Sequence, residues 1–126
     1  MSKILIVDDD PDIVEAVQFF LEKAGHQIAC AYTRTEGETK LAEFDPDLLI
    51  LDVMMEQADD GLAMAQGLRR RGWKRPILML TSLGQVTGLE YGKDDALVPV
   101  DDFQEKPVAP EELVSRVQKL LAKKEA

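Results

Sequence analysis

The sequence predicts an α/β protein, a doubly wound parallel sheet with helices on both faces. Short apolar runs alternate five times with segments of helical periodicity, which is typical of βαβ units with right-handed crossovers. The first, third and fourth runs are apolar on both faces, as expected for strands between two helical layers. With 126 residues, 45% hydrophobic and 31% charged, the chain fits one globular domain spanning residues 1–126.

The first βα unit is the clearest. A strand is predicted at Lys3–Val7, and three aspartates follow it directly. A helix then begins, because Asp10 can cap its N-terminus and Pro11 suits its first position. Gly25 can end this helix, and the second strand is predicted at Gln27–Ala31.

The second helix has a weaker apolar pattern but a clear start. Thr33 and Glu36 have capping-box spacing, and the helix is expected to end near Phe44. Turn residues then precede a third, fully apolar strand at residues 48–51. A third helix is predicted over residues 61–71.

The remaining elements have weaker sequence patterns. A fourth buried strand is predicted at residues 77–80, ending before Thr81. Residues 84–95 contain three glycines and little periodicity, so the fourth helix is expected to be short or irregular. A less apolar fifth strand is expected within residues 98–103, and Pro110 begins the last helix.

Composition excludes several classes of protein. The net charge of -9 argues against direct nucleic-acid binding, which needs cationic side chains to neutralise phosphates. A single cysteine cannot form an internal disulfide or a cysteine-rich zinc site. The apolar runs are far shorter than a membrane span, and the N-terminus lacks a signal-peptide layout, so a cytoplasmic location is expected.

Charged and hydroxyl side chains follow the predicted strands at the edge where open α/β sheets bind ligands. Asp8 and Asp9 follow the first strand and Asp52 follows the third, so their carboxylates converge if these strands are neighbours. Crowded carboxylates favour a cation, and Mg²⁺ commonly bridges carboxylates to phosphate. Thr81 could donate a hydrogen bond to a phosphoryl oxygen, and Lys106 could pair with phosphate.

The successive segments VDDDP, LILDVMM, LMLTS and FQEKP resemble the receiver domain of bacterial two-component response regulators, over essentially the whole chain. The resemblance implies a flavodoxin-like five-stranded sheet of order 2-1-3-4-5. It also implies a phosphoacceptor signalling module that is not a multiple-turnover enzyme. Its expected partners are a sensor histidine kinase or phosphotransfer protein, and a downstream protein bound by the fourth helix, fifth strand and last helix. A monomer, or a weak phosphorylation-dependent dimer, is expected.

The resemblance also implies residue roles at the metal and the acceptor. Asp52 would be the phosphoacceptor, attacking a phosphohistidine and becoming an acyl phosphate. Asp8 and Asp9 would hold Mg²⁺ directly or through water, with Asp52 and the backbone carbonyl of Met54 completing the protein ligands.

The same resemblance assigns the counter-charge and the switch. Lys106 would bind a phosphoryl oxygen, and its peptide bond to Pro107 should be cis. Thr81 would move toward the phosphoryl group and hydrogen-bond with it. Phe103 would change rotamer as the adjoining loop moves.

Two features depart from the family pattern, and a third bears on the lifetime of the acyl phosphate. Glu56 stands where a proline is usual, and residues 56–60 make a longer, more acidic loop. Residues 93–102 are also lengthened, on the expected signalling surface. Met54 and Leu83 would flank the acyl phosphate and cannot orient a hydrolytic water, so slow autodephosphorylation is expected.

Two other functions are compatible with the sequence. One is a haloacid dehalogenase-type Mg²⁺-dependent phosphatase, because Asp8-x-Asp10 resembles its nucleophile motif. That family also needs an acidic pair on a strand after the lysine, whereas only a Pro-rich turn and a helix without aspartate follow Lys106. The other is a pseudo-receiver that binds partners without being phosphorylated. Turnover of p-nitrophenyl phosphate tests the first alternative, and failure of acetyl phosphate or beryllofluoride to modify the protein would support the second.

Overall fold

The computed structural model describes residues 2–52, 60–82, 100–106 and 109–125. Within them, five parallel strands form one sheet in the order β2-β1-β3-β4-β5. The strands are β1 Lys3–Val7, β2 Gln27–Ala31, β3 Leu48–Asp52, β4 Ile77–Ser82 and β5 Asp102–Lys106. The helices are α1 Pro11–Lys23, α2 Arg34–Phe44, α3 Asp60–Arg70 and α4 Pro110–Glu125. The predicted fold class and strand order are confirmed. None of these helices has the length and apolarity that a membrane crossing requires.

Helices cover both faces of the sheet because its central strands are apolar on both sides. Alternate residues of β1, β3 and β4 form one buried cluster with α1 and α4, including Ile6, Ile50 and Leu80. The intervening residues form a second cluster with α3, including Val7 and Leu51. The polar site therefore has to lie at a strand end, where the chain leaves these two apolar layers.

The predicted helix starts at α1 and α2 are confirmed by their capping bonds. The Oδ1 atom of Asp10 accepts a hydrogen bond from the backbone N–H of Asp12 at 2.9 Å. At α2, Thr33 Oγ1 accepts from the N–H of Glu36 at 3.0 Å. The side chain of Glu36 accepts in return from the N–H of Tyr32 at 2.7 Å, which completes a capping box.

The prediction for the fifth strand was wrong in its placement. β5 begins at Asp102 and ends at Lys106, rather than lying within residues 98–103. β5 is an edge strand and only half-buried, so its apolar signal is weak. β3 and β4 also extend one and two residues further than predicted, which places Asp52 and Thr81 inside their strands. The predicted fourth helix at residues 84–95 lies outside the described residues. Most residues of the two lengthened segments, 56–60 and 93–102, also lie outside them.

Gly37 allows α2 to pack closely on β1. A Cβ at this position would lie 2.9 Å and 3.0 Å from the two methyl carbons of Val7, a buried β-branched side chain whose χ1 rotation is restricted. We expect Gly37→Ala to lower the free energy of unfolding by about 1 to 2 kcal/mol, because overpacking outweighs the better helix propensity of alanine.

The matched control for Gly37 is Gly67 in the interior of α3. There a Cβ would meet only the end of the Arg70 side chain, at 3.9 Å. Gly67→Ala should therefore stabilise the protein by about 0.5 to 1 kcal/mol through helix propensity alone. Urea unfolding of both variants measures the difference, and equal shifts in the two would contradict the close-packing explanation.

Candidate functional site

Three charged side chains form an ion-paired pocket at the carboxyl edge of the sheet. Asp8 directly follows β1, Asp52 ends β3 and Lys106 ends β5. The Nζ atom of Lys106 lies 3.1 Å from Asp8 Oδ2 and 3.1 Å from Asp52 Oδ1. Since β4 separates β3 from β5, the long lysine side chain crosses the end of β4 to reach them. The structure thus brings these three charges together at one edge of the sheet.

The local backbone holds Asp8 in a fixed orientation. Its N–H donates to the carbonyl of Ala31 at 3.1 Å, which extends the β1–β2 ladder by one residue. Its Oδ1 accepts from the N–H of Asp10 at 2.9 Å, the Asx geometry that turns the chain from β1 into α1. The other oxygen of Asp8 is therefore left facing the pocket, where Lys106 lies.

The pocket has the donor set of a divalent-cation site. Asp8, Asp9 and Asp52 each offer a carboxylate oxygen, and these oxygens all lie within 4.8 Å of one another. Asp8 and Asp52 are buried, at 0% and 4% exposed, while Asp9 is exposed to solvent. Hard oxygen donors, one of them open to water, fit a small cation such as Mg²⁺ that keeps part of its hydration shell.

The electrostatics of the pocket are unbalanced toward negative charge. Burial raises the pKa of Asp52 to about 6; the charge of Asp8 adds to the rise and Lys106 opposes it. Burial alone would lower the pKa of Lys106, but the charges of Asp8 and Asp52 raise it above its ordinary value. One cation thus does not fully compensate the buried carboxylates, and the pocket favours a further positive charge.

Thr81 lies on β4 at the pocket edge of the sheet, and Phe103 lies on the edge strand β5, three residues before Lys106. Asp52 pairs with Leu80 in the β3–β4 register, so Thr81 is one residue further along the same edge. Thr81 is fully buried, and its hydroxyl has no hydrogen-bond partner among the described residues. Phe103 is partly buried and packs against the cluster on the α3 side of the sheet.

Two of the predicted site features lie outside the described residues. They are the backbone carbonyl of Met54 and the peptide bond between Lys106 and Pro107. The metal ligand and the cis geometry expected there stay predictions.

A second ion-paired cluster anchors β5 and was not predicted. The guanidinium of Arg69 lies 2.9 Å from Asp101 Oδ2, and the same oxygen accepts from the N–H of Ile77 at 2.8 Å. The N–H of Asp101 donates to the carbonyl of Ile77 at 3.0 Å. These contacts hold the start of β5 against β4. Because Lys106 is the last residue of β5, they also help to position Lys106. No local sequence pattern relates Arg69 to Asp101, which are 32 positions apart, so these contacts could not be predicted.

The sheet order and the acidic pocket with its lysine define a flavodoxin-like receiver module. Residues 4–118 match the model of the response regulator receiver domain, and the chain belongs to this family. The chain is therefore a receiver domain of the kind found in two-component response regulators.

Named relatives agree with the family assignment. The chain is 40% identical over 123 residues to the DNA-binding dual master transcriptional regulator RpaA of Synechocystis sp., covering 96% of this chain and 49% of that protein. It is 37% identical over 128 residues to the alkaline phosphatase synthesis transcriptional regulatory protein PhoP of Bacillus subtilis, covering 98% and 50%. The chain therefore spans about half the length of these two relatives.

A solved structure supports the same fold over nearly the whole of both chains. A putative response regulator from Chloroflexus aurantiacus J-10-fl superposes with a TM-score of 0.83 at 32% identity. The match covers 96% of this chain and 98% of that one.

Proposed function

We propose that Asp52 accepts a phosphoryl group from a phosphohistidine of a sensor histidine kinase or phosphotransfer protein. The observation that carries this proposal is the position of Asp52, buried at the end of β3 and 3.1 Å from the ammonium of Lys106. One carboxylate oxygen of Asp52 forms the new bond to phosphorus while the bond from phosphorus to the histidine nitrogen breaks. The product is an acyl phosphate on Asp52 and a free imidazole on the donor.

The chain's own residues supply alignment and charge for this transfer. Lys106 lies beside Asp52 and neutralises charge on the phosphoryl oxygens. Its ammonium must exchange a carboxylate for phosphate as the group arrives, which its compact charge and flexible stem allow. The orphan hydroxyl of Thr81 donates a hydrogen bond to a phosphoryl oxygen, and Phe103 follows its movement.

The cation proposed for this pocket is Mg²⁺; Asp8, Asp9 and Asp52 would hold it, with the Met54 carbonyl as a fourth protein ligand. When bound, Mg²⁺ neutralises the carboxylates and stabilises charge on the transferring phosphoryl group. Asp8 and Asp9 act only as metal ligands and take part in no covalent step.

The output of phosphorylation is a change in a protein-binding surface. A phosphoryl group adds close to two negative charges at the pocket, enough to bias a two-state element beside it. The surface proposed for a downstream protein comprises the region after β4, together with β5 and α4. These 126 residues act in the cytoplasm and do not bind nucleic acid themselves. RpaA, whose name describes DNA binding, is about twice as long as this chain.

Asp52→Ala is expected to abolish phosphorylation by acetyl phosphate in the presence of Mg²⁺. Intact mass should show one added phosphoryl group on the wild-type protein and none on the variant. Asp12→Ala, on the exposed first turn of α1, is the matched control and should be modified like wild type. A phosphorylated Asp52→Ala protein would overturn the acceptor assignment, and an unmodified wild type would support a pseudo-receiver.

The acyl phosphate is expected to hydrolyse slowly. Met54 and Leu83, which would flank it, are apolar and cannot orient a water molecule. The decay of the phosphorylated mass after removal of acetyl phosphate measures the rate. Loss of the phosphoryl group within seconds in Mg²⁺ would contradict this proposal.

A further inference from the structure

An apolar groove lies between α1 and α4, on the side of the sheet away from α2 and α3. It has a volume of about 600 Å³ and is lined mainly by carbon atoms. We call it the α1–α4 groove and define it by Phe19, Phe20, Lys23, Pro110, Glu111 and Val114. It is separate from the Asp52 pocket, because the groove lies on a helical face and the pocket lies at the end of the strands.

Phe19 projects from the rim of this groove. Its side chain is 59% exposed, the larger exposure of the two exposed large hydrophobic residues in the described part of the chain. The ring is nevertheless held in place: it makes an edge contact with Phe20, at 5.8 Å between centroids, and Lys23 Nζ lies 6.0 Å from its centroid. The aromatic side chain and the apolar groove lie side by side on one surface. Phe19 of one copy could therefore fit the groove of a second copy, and the reverse.

The charges at the groove are arranged for the same kind of contact. The strands are parallel, and α1 and α4 each follow the carboxyl end of a strand, so the two helices run in the same direction. Lys23 is at the C-terminal end of α1, and Glu111 is in the first turn of α4. The positive and negative ends of the groove are therefore opposite. A twofold axis perpendicular to the groove would bring Lys23 of each copy to Glu111 of the other.

We propose that the α1–α4 groove is an interface between two copies of this chain, with Phe19 of each copy inserted into the groove of the other. This contact is isologous, as twofold dimers require. Its apolar centre is one aromatic side chain per copy, and covering the exposed 59% of Phe19 adds less than the about 150 to 250 Å² of a fully buried aromatic residue. That is small beside the roughly 1,200 Å² of a stable interface. The dimer is therefore weak and depends on concentration, and it leaves the Asp52 pocket open.

Sedimentation velocity of the full chain tests the proposal across micromolar to millimolar concentrations. The weight-average mass of wild type should rise toward that of a dimer, and Phe19→Ser should remain monomeric. Tyr32→Ser is the matched control. Tyr32 is an exposed aromatic residue directly after β2 and does not line the groove, so its substitution should not affect association. Circular dichroism and thermal unfolding establish that each variant is folded.

Charge reversal distinguishes this contact from nonspecific association of an apolar surface. Lys23→Glu and Glu111→Lys should each weaken association, and the double variant should restore it, because the pair forms across the interface. A wild type that stays monomeric at all concentrations would overturn the proposal, as would undiminished association of Phe19→Ser. If wild type is monomeric while Phe19→Ser slows phosphotransfer from a donor protein, the groove belongs to that donor and the dimer is wrong.

Discussion

Lys106→Met is expected to lose about 3 to 5 kcal/mol of unfolding free energy in metal-free buffer at neutral pH. The Lys106 ammonium lies 3.1 Å from Asp8 Oδ2 and 3.1 Å from Asp52 Oδ1, and both carboxylates are buried. Methionine keeps the length and most of the apolar volume of lysine. The loss therefore reports the missing charge, which leaves two buried carboxylates facing each other.

Mg²⁺ is expected to recover much of this loss, because a divalent cation on the same carboxylates replaces the missing positive charge. Urea unfolding in EDTA and in Mg²⁺ measures both effects, and Mg²⁺ should stabilise Lys106→Met more than it stabilises wild type. Lys119→Met, at an exposed position of α4, is the control and should change stability by no more than about 0.5 kcal/mol. Equal stability of Lys106→Met and wild type without metal would contradict this account of the pocket.

The parts of the fold that the sequence predicted well are those with a strong local signal. β1 was predicted to the residue, because a strand buried on both faces is a continuous apolar run that ends where charge begins. The same signal located the carboxylates, since Asp8 and Asp52 directly follow such runs and parallel strands end at one edge. The caps of α1 and α2 were predicted because capping depends on residues only two or three positions apart.

The parts that were missed depend on contacts between distant segments. β5 is polar along most of its length, with Gln104 buried and Glu105 exposed, so no apolar pattern marks it. Its start is fixed instead by Asp101, which contacts Arg69 and Ile77. The ion pairs of the Asp52 pocket also join residues that are far apart in the sequence. The sequence pointed to Lys106 but could not show that one ammonium lies between Asp8 and Asp52.

Asp52→Asn is expected to stabilise the metal-free protein at neutral pH, the opposite sign to Lys106→Met. Burial and the charge of Asp8 raise the pKa of Asp52 from 3.8 to about 6 in the folded protein. A shift of about two units corresponds to about 3 kcal/mol of free energy between the protonated and ionised forms. Asparagine has the shape of the protonated acid without its charge, so the variant should gain about 2 to 3 kcal/mol at pH 7.

The pH dependence of unfolding tests the direction of the Asp52→Asn effect on stability, whatever its size. Because the folded pKa of Asp52 is raised, the folded state binds its proton more tightly than the unfolded state. The contribution of Asp52 to stability is therefore fully present below about pH 4 and is lost as pH rises through about 6. Asparagine does not titrate, so the advantage of Asp52→Asn over wild type should be small near pH 4, grow between pH 4 and 6, and level off above.

Urea unfolding of the two proteins in EDTA, at pH values spanning this range, measures the advantage directly. Asp12→Asn, on the exposed first turn of α1, is the control and should not stabilise the protein. Mg²⁺ should reduce the advantage of Asp52→Asn at neutral pH, because the cation stabilises the ionised carboxylate that wild type retains. An advantage independent of pH would mean that removing charge is not its origin. Because Lys106→Met and Asp52→Asn shift the pocket charge in opposite directions, only a pocket with excess negative charge gives both results.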